Sequence, residues 1–465
     1  MKFLYYDLIF LVVFCLFLFF FLRARRKKIK REGVLFLYRT KAGLVFIEKA
    51  AKKLDKFLKI FGKISVIVGF FMMVFCFYLL IKTLFLTIRV PLGVPPLLPL
   101  VPYVPQALKL PLPPFYFFYW IIIVIVVAVT HEFSHGIFAA HHKIKIKSTG
   151  FGFLGPFLAA FVEPDEKQLA KTKKKAQLEV FSAGSFSNLV FAIIFLLGLQ
   201  LFFFFAYKPA GVSFTFVYSS LNLSEIKSIG NYSVEEFLNL SEKEIKKLSE
   251  KDVLEVKTEN ATYYLDKKLL QEIISSKRLI QKYKKIIAYD DTPAFRARLE
   301  GGIISINGEK IRKAEDISKI LKNYKPGEKI NLTTSKSSYH IVLAEHPSEK
   351  NKPYLGIAFV QLQGTNKFFS SLTAPLFSPG LYVETRGNEQ LTNFFRDLLL
   401  WLVLICFFVA IFNMLPLGFL DGGRMLYVLS LMITKSKKKA KNISVIFSYI
   451  VLFLIFLLMI VWMIV

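Results

Sequence analysis

Acidic residues, cysteine and histidine are scarce in this chain. Its 465 residues hold 33 Asp and Glu against 62 Lys and Arg, with three Cys and six His. Cys15, Cys76 and Cys406 all fall inside apolar runs, which excludes a disulfide framework and a Cys-rich metal site. No internal repeat is visible, which counts against the duplicated halves usual in transporters. The acidic deficit leaves a net charge of +29. A surplus of that size suits nucleic acid or a membrane surface, so its placement has to decide.

The placement favours a membrane. Hydrophobic residues make up 54% of the chain, 50 of them Phe. Six apolar segments, about 3–22, 63–88, 115–140, 180–206, 396–417 and 443–465, are each long enough to cross a core of ~30 Å. Basic clusters at Arg23–Arg31, Lys171–Lys175 and Lys435–Lys441 alternate with a loop, Val90–Pro114, that has one Lys and no Arg. That alternation is the positive-inside pattern, and it predicts an extracytoplasmic N-terminus. The lysines therefore answer to lipid headgroups, and no nucleic-acid partner is expected. Segment 3–22 lacks a basic stretch before it, so it reads as a retained anchor rather than a signal peptide.

Inside the third segment stands His131-Glu132-Phe133-Ser134-His135. Ionisable groups at membrane depth are costly and usually functional. On a helix His131 and His135 share a face, one turn apart, so both imidazoles can grip one zinc ion while Glu132 acts as base. Zinc needs a third ligand. Asp421 is the candidate, in Asn413-Met414-Leu415-Pro416-Leu417-Gly418-Phe419-Leu420-Asp421-Gly422-Gly423, where Pro and Gly should break the helix. Broken backbone at that depth must be buried or line a wet cavity. A loop Asp capping a helix from Gly422 is the other reading of Asp421. Ala183-Gly184-Ser185-Phe186-Ser187-Asn188 supplies small residues for close helix approach, and Asn188 could bond a developing oxyanion or simply pack between helices. His141 and His142 follow the motif and read as interfacial.

With HEFSH, AGSFSN and NMLPLGFLDGG in this order, the chain resembles the site-2 protease family of intramembrane zinc proteases. Ala159-Ala160-Phe161-Val162-Glu163-Pro164-Asp165-Glu166 is similar to the family's hairpin after the first core helix, where Gly is more usual than Ala159. Arg39-Thr40-Lys41-Ala42-Gly43-Leu44 resembles archaeal-type members. The resemblance covers most of the chain outside Leu221–Ile287. It implies His131, His135 and Asp421 as zinc ligands, Glu132 as catalytic base, and Asn188 near the site, with Asn413 and Pro416 close by.

The expected architecture is a polytopic α-helical membrane protein of about six transmembrane helices with an extracytoplasmic α/β PDZ-like domain. Residues 1–114 form a two-helix region with a basic cytoplasmic loop and a Pro-rich outer loop. Residues 115–208 carry the first two core helices and the hairpin, and 396–465 the third core helix and a last transmembrane helix. Residues 209–395 form the outer domain. Within it, Pro293–Leu299 reads as a short helix, Gly302–Ile306 as a strand entering a turn at Asn307-Gly308, and Ala314–Leu321 as a helix. Ile330–Thr334 and Tyr339–Leu343 read as strands. This resembles a PDZ domain, which binds peptide ends by strand addition, and the resemblance implies Gly211–Phe214 as its first strand. The Lys- and Glu-dense stretch, about 221–287, reads as a solvated, partly helical insertion.

The expected function is hydrolysis of peptide bonds in transmembrane protein substrates, with zinc activating water and Glu132 moving the proton. The active site should lie toward the cytoplasmic side. An inactive membrane PDZ scaffold that recruits peptides, a metal transporter, and a membrane protease with a downstream Glu such as Glu163 as third ligand are the competing readings.

Overall fold

The computed structural model describes residues 2–32, 35–89, 95–108, 110, 112–154, 157–248, 253–275, 277–359 and 380–464. The chain divides into two compact units, Met1–Leu199 with Asn393–Val465, and Gln200–Thr392.

Eight helices organise the first unit: α1 Lys2–Ala24, α2 Leu44–Lys53, α3 Asp55–Arg89, α4 Phe117–His141, α5 Lys174–Ala206, α6 Glu389–Phe412, α7 Asp421–Thr434 and α8 Lys437–Ile464. All but α2 and α7 are long and apolar enough to cross a membrane, six among the described residues. Their outer faces belong in lipid. On α3, Ile67, Phe71 and Val74 expose 70%, 69% and 70% of their surface, at spacings that put them on one side of the helix. The fifth apolar segment ends earlier than its hydropathy suggests. The helix stops at Phe412, and the chain then turns back to start the separate helix α7.

Two hairpins of this unit join into one four-stranded antiparallel sheet: β1 Ile29–Glu32, β2 Leu35–Thr40, β3 Ile146–Leu154 and β4 Phe157–Pro164, in that order. The second hairpin follows α4, as expected, and leaves β4 as an edge strand packed along α4.

Asp7 ties α1 to α4. Its carboxylate is 3% exposed and accepts from the Phe117 and Phe118 amides at 2.8 Å each and from the Tyr103 hydroxyl at 2.5 Å. Those amides are donors that the first turn of α4 cannot satisfy within the helix. Burial, and then the bond to Asp7, push the Tyr103 phenol above its usual range, which keeps it a donor. Of the Pro-rich loop, residues 90–94, 109 and 111 lie outside the described residues. The described part packs on the core helices: Leu100 accepts from the Trp120 indole at 3.1 Å and Pro114 from the Trp401 indole at 3.3 Å.

The second unit holds two cores. One surrounds a six-stranded antiparallel sheet in the order Ser338–Val342, Lys329–Thr334, Ile303–Ile306, Tyr207–Val212, Leu381–Thr385, with the short strand Glu309–Lys310 also paired to Ile303–Ile306. The helix Ala314–Leu321 and the turn at Asn307-Gly308 stand where the sequence puts them, and both Asn307 and Gly308 take positive φ. The first strand lies at Tyr207–Val212, earlier than Gly211–Phe214. Residues 360–379 lie outside the described residues.

The Lys- and Glu-rich stretch is not a solvated appendage. It forms a second antiparallel sheet, five-stranded, in the order Tyr218–Asn222, Lys285–Asp290, Thr262–Asp266, Val253–Thr258, Ile226–Ile229. Phe237, Ile245, Val256, Leu265 and Leu270 are fully buried in its core. The charges sit on one face only. Along Val253–Thr258, Leu254 and Val256 point inward while Glu255 and Lys257 point to solvent. Glu250 and Lys251 lie outside the described residues.

Candidate metal centre

Three side chains from two distant segments converge inside the first unit. His131 Nε2 and His135 Nε2 stand 3.2 Å apart, and Asp421 Oδ2 lies 3.2 Å from each. Among the described residues they form the one group of metal-ligand type with ligand atoms this close. Donors around a tetrahedral zinc at ~2.0–2.1 Å stand about 3.3 Å from one another. The observed triangle fits that edge on every side. Asp421 Oδ2 is buried and takes part in no well-aligned hydrogen bond, although two nitrogens face it. Three ligand atoms converging on one point, each able to present a lone pair, are what a cation requires.

The backbone around Asp421 explains how it arrives there. Residues 413–420 leave the helix, and Asp421 opens α7. The Gly422 amide donates to the Asn413 carbonyl at 2.8 Å. A Cβ on Gly422 or Gly423 would collide with the backbone of Met414 or Leu417. The loop is pinned from α8, where the Ser448 hydroxyl donates to the Pro416 carbonyl at 3.1 Å. Pro416 therefore shapes the turn and does not line the site, whereas Asn413 does. Gly184 on α5 touches both imidazoles, and any side chain there would press on both Nε2 atoms. Only glycine allows α5 this close.

The nitrogens away from Asp421 set the ring tautomers. His135 Nδ1 donates to the Val180 carbonyl at 2.7 Å, which leaves Nε2 its lone pair. Beside His131 Nδ1, at 3.2 Å, stands the Asn188 carboxamide, which also meets the Thr130 hydroxyl at 3.0 Å. A hydroxyl both donates and accepts, so the carboxamide can face the ring with either end. Metal binding requires the oxygen there, accepting from Nδ1–H. Asn188 is fully buried and does not line the cavity. Asn188 meets His131 at Nδ1, whereas Asp421 meets it at Nε2, a placement suited to orienting the ring. Asn188→Ala is expected to weaken zinc binding by about 10–100-fold, the usual weight of such outer partners. Competition against a chromogenic chelator measures it, and an unchanged affinity would remove the orienting role.

Glu132 lines the same cavity, of about 480 Å³, as His131, His135, Asn413 and Asp421. Its Oε2 accepts from the Val162 amide of β4 at 3.0 Å. That amide points out of the sheet, so the backbone groups of Ala160 and Leu158, at the same strand phase, do so as well. Leu158, Ala160 and Val162 line the cavity. The metal-ligand triad thus faces the open edge of an antiparallel sheet. Sequence reasoning missed this edge and the Val180 carbonyl, because backbone groups and their direction leave no mark in residue types, and it missed the Thr130 hydroxyl because its partner comes from another helix.

Other candidates fall outside the centre. Glu163 accepts from the Ser148 hydroxyl at 2.7 Å and from Arg39 at 3.3 Å, and these two hold its carboxyl below the usual range. It is committed elsewhere, which sets it aside as third ligand. His141 pairs with Asp55 at 3.0 Å and His142 with Glu179 at 2.7 Å.

A family model described as Peptidase family M50 matches residues 119–458, a span that contains His131, Glu132, His135, Asn188 and Asp421. An uncharacterized protein of Methanocaldococcus jannaschii is 31% identical over 180 residues, which make up 36% of this chain and 43% of that protein. The chain therefore spans less than half the length of this curated relative.

Proposed function

The chain belongs to peptidase family M50, the site-2 protease family, and from that premise we propose that it hydrolyses peptide bonds in or near transmembrane segments of membrane proteins. The observation that carries the proposal is the 3.2 Å triangle of His131, His135 and Asp421 with the Glu132 carboxylate on the same cavity. His131, His135 and Asp421 hold zinc. Zinc bound there supplies Lewis acidity toward water and toward the scissile carbonyl.

The rest is done by the chain's own groups. Glu132, fixed by the Val162 amide, takes the proton of the attacking water and returns it to the leaving amine. The nucleophile is water, so no acyl-enzyme forms. A helical substrate hides its carbonyls in its own hydrogen bonds, so it must unwind before cleavage. The edge of β4 gives an unwound segment new partners: the outward groups of Leu158 and Ala160 can pair with it as an added strand. That pairing offsets the broken helix bonds and lays the scissile carbonyl beside the metal ligands.

The second unit acts as a PDZ-like filter that receives peptide ends, with the 221–287 sheet as its insertion. The N-terminus and this unit are extracytoplasmic, and the active site lies toward the cytoplasmic side, as the loop charges require. Purification in detergent tests the proposal, followed by zinc quantification and mass spectrometry of a model transmembrane peptide with and without chelator. One zinc per chain and a single chelator-sensitive cut are expected. Cleavage that survives complete zinc removal would sink it.

A further inference from the structure

A second cavity, of about 960 Å³, adjoins the metal site and shares with it the β4 residues Ala159, Ala160 and Val162. Its charged lining is unbalanced. Arg39, Lys147, Arg424 and Lys441 face it against Glu163 and Glu166. Arg39 is matched by Glu163 at 3.3 Å, and Lys147 stands 3.8 Å from Asp165. Among the described residues Arg424 is in no ion pair. Its described contact is the face of Phe181, with the guanidinium carbon 5.7 Å from the ring centre. Arg424 also lines both cavities and follows Asp421 by three residues on α7, close to one helical turn. Arg424 is solvent-exposed in the structure, so its guanidinium is accessible to an incoming carboxylate, and the two-bond geometry rather than burial supplies the gain.

We infer that Arg424 is a specificity-determining residue whose guanidinium binds an acidic side chain flanking the scissile bond, with the second cavity as the subsite for that flank. The inference rests on the proteolytic reading above. A segment added to β4 runs past the metal ligands, and because the two cavities share that strand, it continues from one into the other. The small side chains of Ala159 and Ala160 leave room for the flank. The planar guanidinium suits a carboxylate in a two-bond grip, and its stacking on Phe181 holds it ready. A lipid phosphate would also neutralise Arg424. Continuity with the catalytic edge favours the peptide.

The test uses the full chain in detergent and a model transmembrane peptide made in three versions, with Glu, Gln or Lys flanking the cut, varied one side at a time. For the wild type, kcat/KM for the Glu version should exceed that for Gln by about 10-fold, mainly through KM, as one charge-assisted pair allows. Arg424→Gln should bring that ratio close to one, and Arg424→Glu should shift preference to the Lys version. Equal wild-type rates on all three versions overturn the inference. So does an Arg424→Gln variant that loses rate equally on all three, since that marks a structural role. A Glu preference that persists in Arg424→Gln, with anionic lipid inhibiting only the wild type, assigns the guanidinium to a headgroup and also overturns it. No cleavage of any version by the zinc-loaded wild type overturns the proteolytic reading itself, and the inference falls with it.

Discussion

Glu132→Gln is expected to lower peptide hydrolysis by roughly 10²–10⁴-fold, the range of a lost general base, while bound zinc stays unchanged. The substitution is nearly isosteric. The Gln carbonyl can still accept from the Val162 amide that now holds Glu132 at 3.0 Å, so the link between α4 and β4 survives. Only the ability to take a proton is lost. His131, His135 and Asp421 need nothing from residue 132 to hold a metal, since their donor atoms meet one another and not its carboxylate. The measurement is therefore a pair: zinc per chain, and kcat on a model transmembrane peptide. A variant that cuts as fast as the parent would remove Glu132 from the chemistry. A variant that loses zinc as well would make its role structural.

Asp421→Ala should have the larger effect on the metal. Removing it leaves two imidazoles 3.2 Å apart with no anion between them, and zinc with two protein ligands. The loss of affinity should exceed the roughly 10–100-fold expected for an outer partner such as Asn188, and hydrolysis should fall with it because the water loses its activation. Glu163→Ala is the control. Glu163 is held by Ser148 and Arg39, so its removal should leave zinc content intact. If Glu163→Ala releases zinc and Asp421→Ala does not, the third ligand has been misassigned and the proposed centre fails. The order Asp421, then Asn188, then Glu163 in zinc retention is a sharper check than any single variant.

Some of this was readable along the chain. HEFSH needs only the helical repeat to put His131 and His135 on one face, and α4 keeps that repeat. The apolar runs announce the membrane helices through composition alone. The hairpin turn at Asn307-Gly308 is legible because its backbone needs positive φ, which those residues tolerate. The second sheet was harder. Its strands carry Lys and Glu on alternate positions, and a dense charge count hides the buried Leu254 and Val256 between them. The split of the last core segment into α6, a loop and α7 was partly signalled by Pro416, Gly418, Gly422 and Gly423, although the loop's pinning by Ser448 was not.

The sequence by itself determined what chemistry is possible: which side chains can hold a divalent cation, which carboxylate can move a proton, and that the work is done among apolar helices. Those properties are local, carried by residue type and by repeats of a few positions. Tertiary structure alone decided where the side chains aim. It set Asn188 beside His131 Nδ1, put Glu132 against an open strand edge, and left Arg424 facing two cavities with no ion pair among the described residues. Aim depends on how far each helix is rotated and how closely it approaches its neighbour. Here those distances are set by glycines at contact points, Gly184 against the imidazoles and Gly422 and Gly423 against the returning loop.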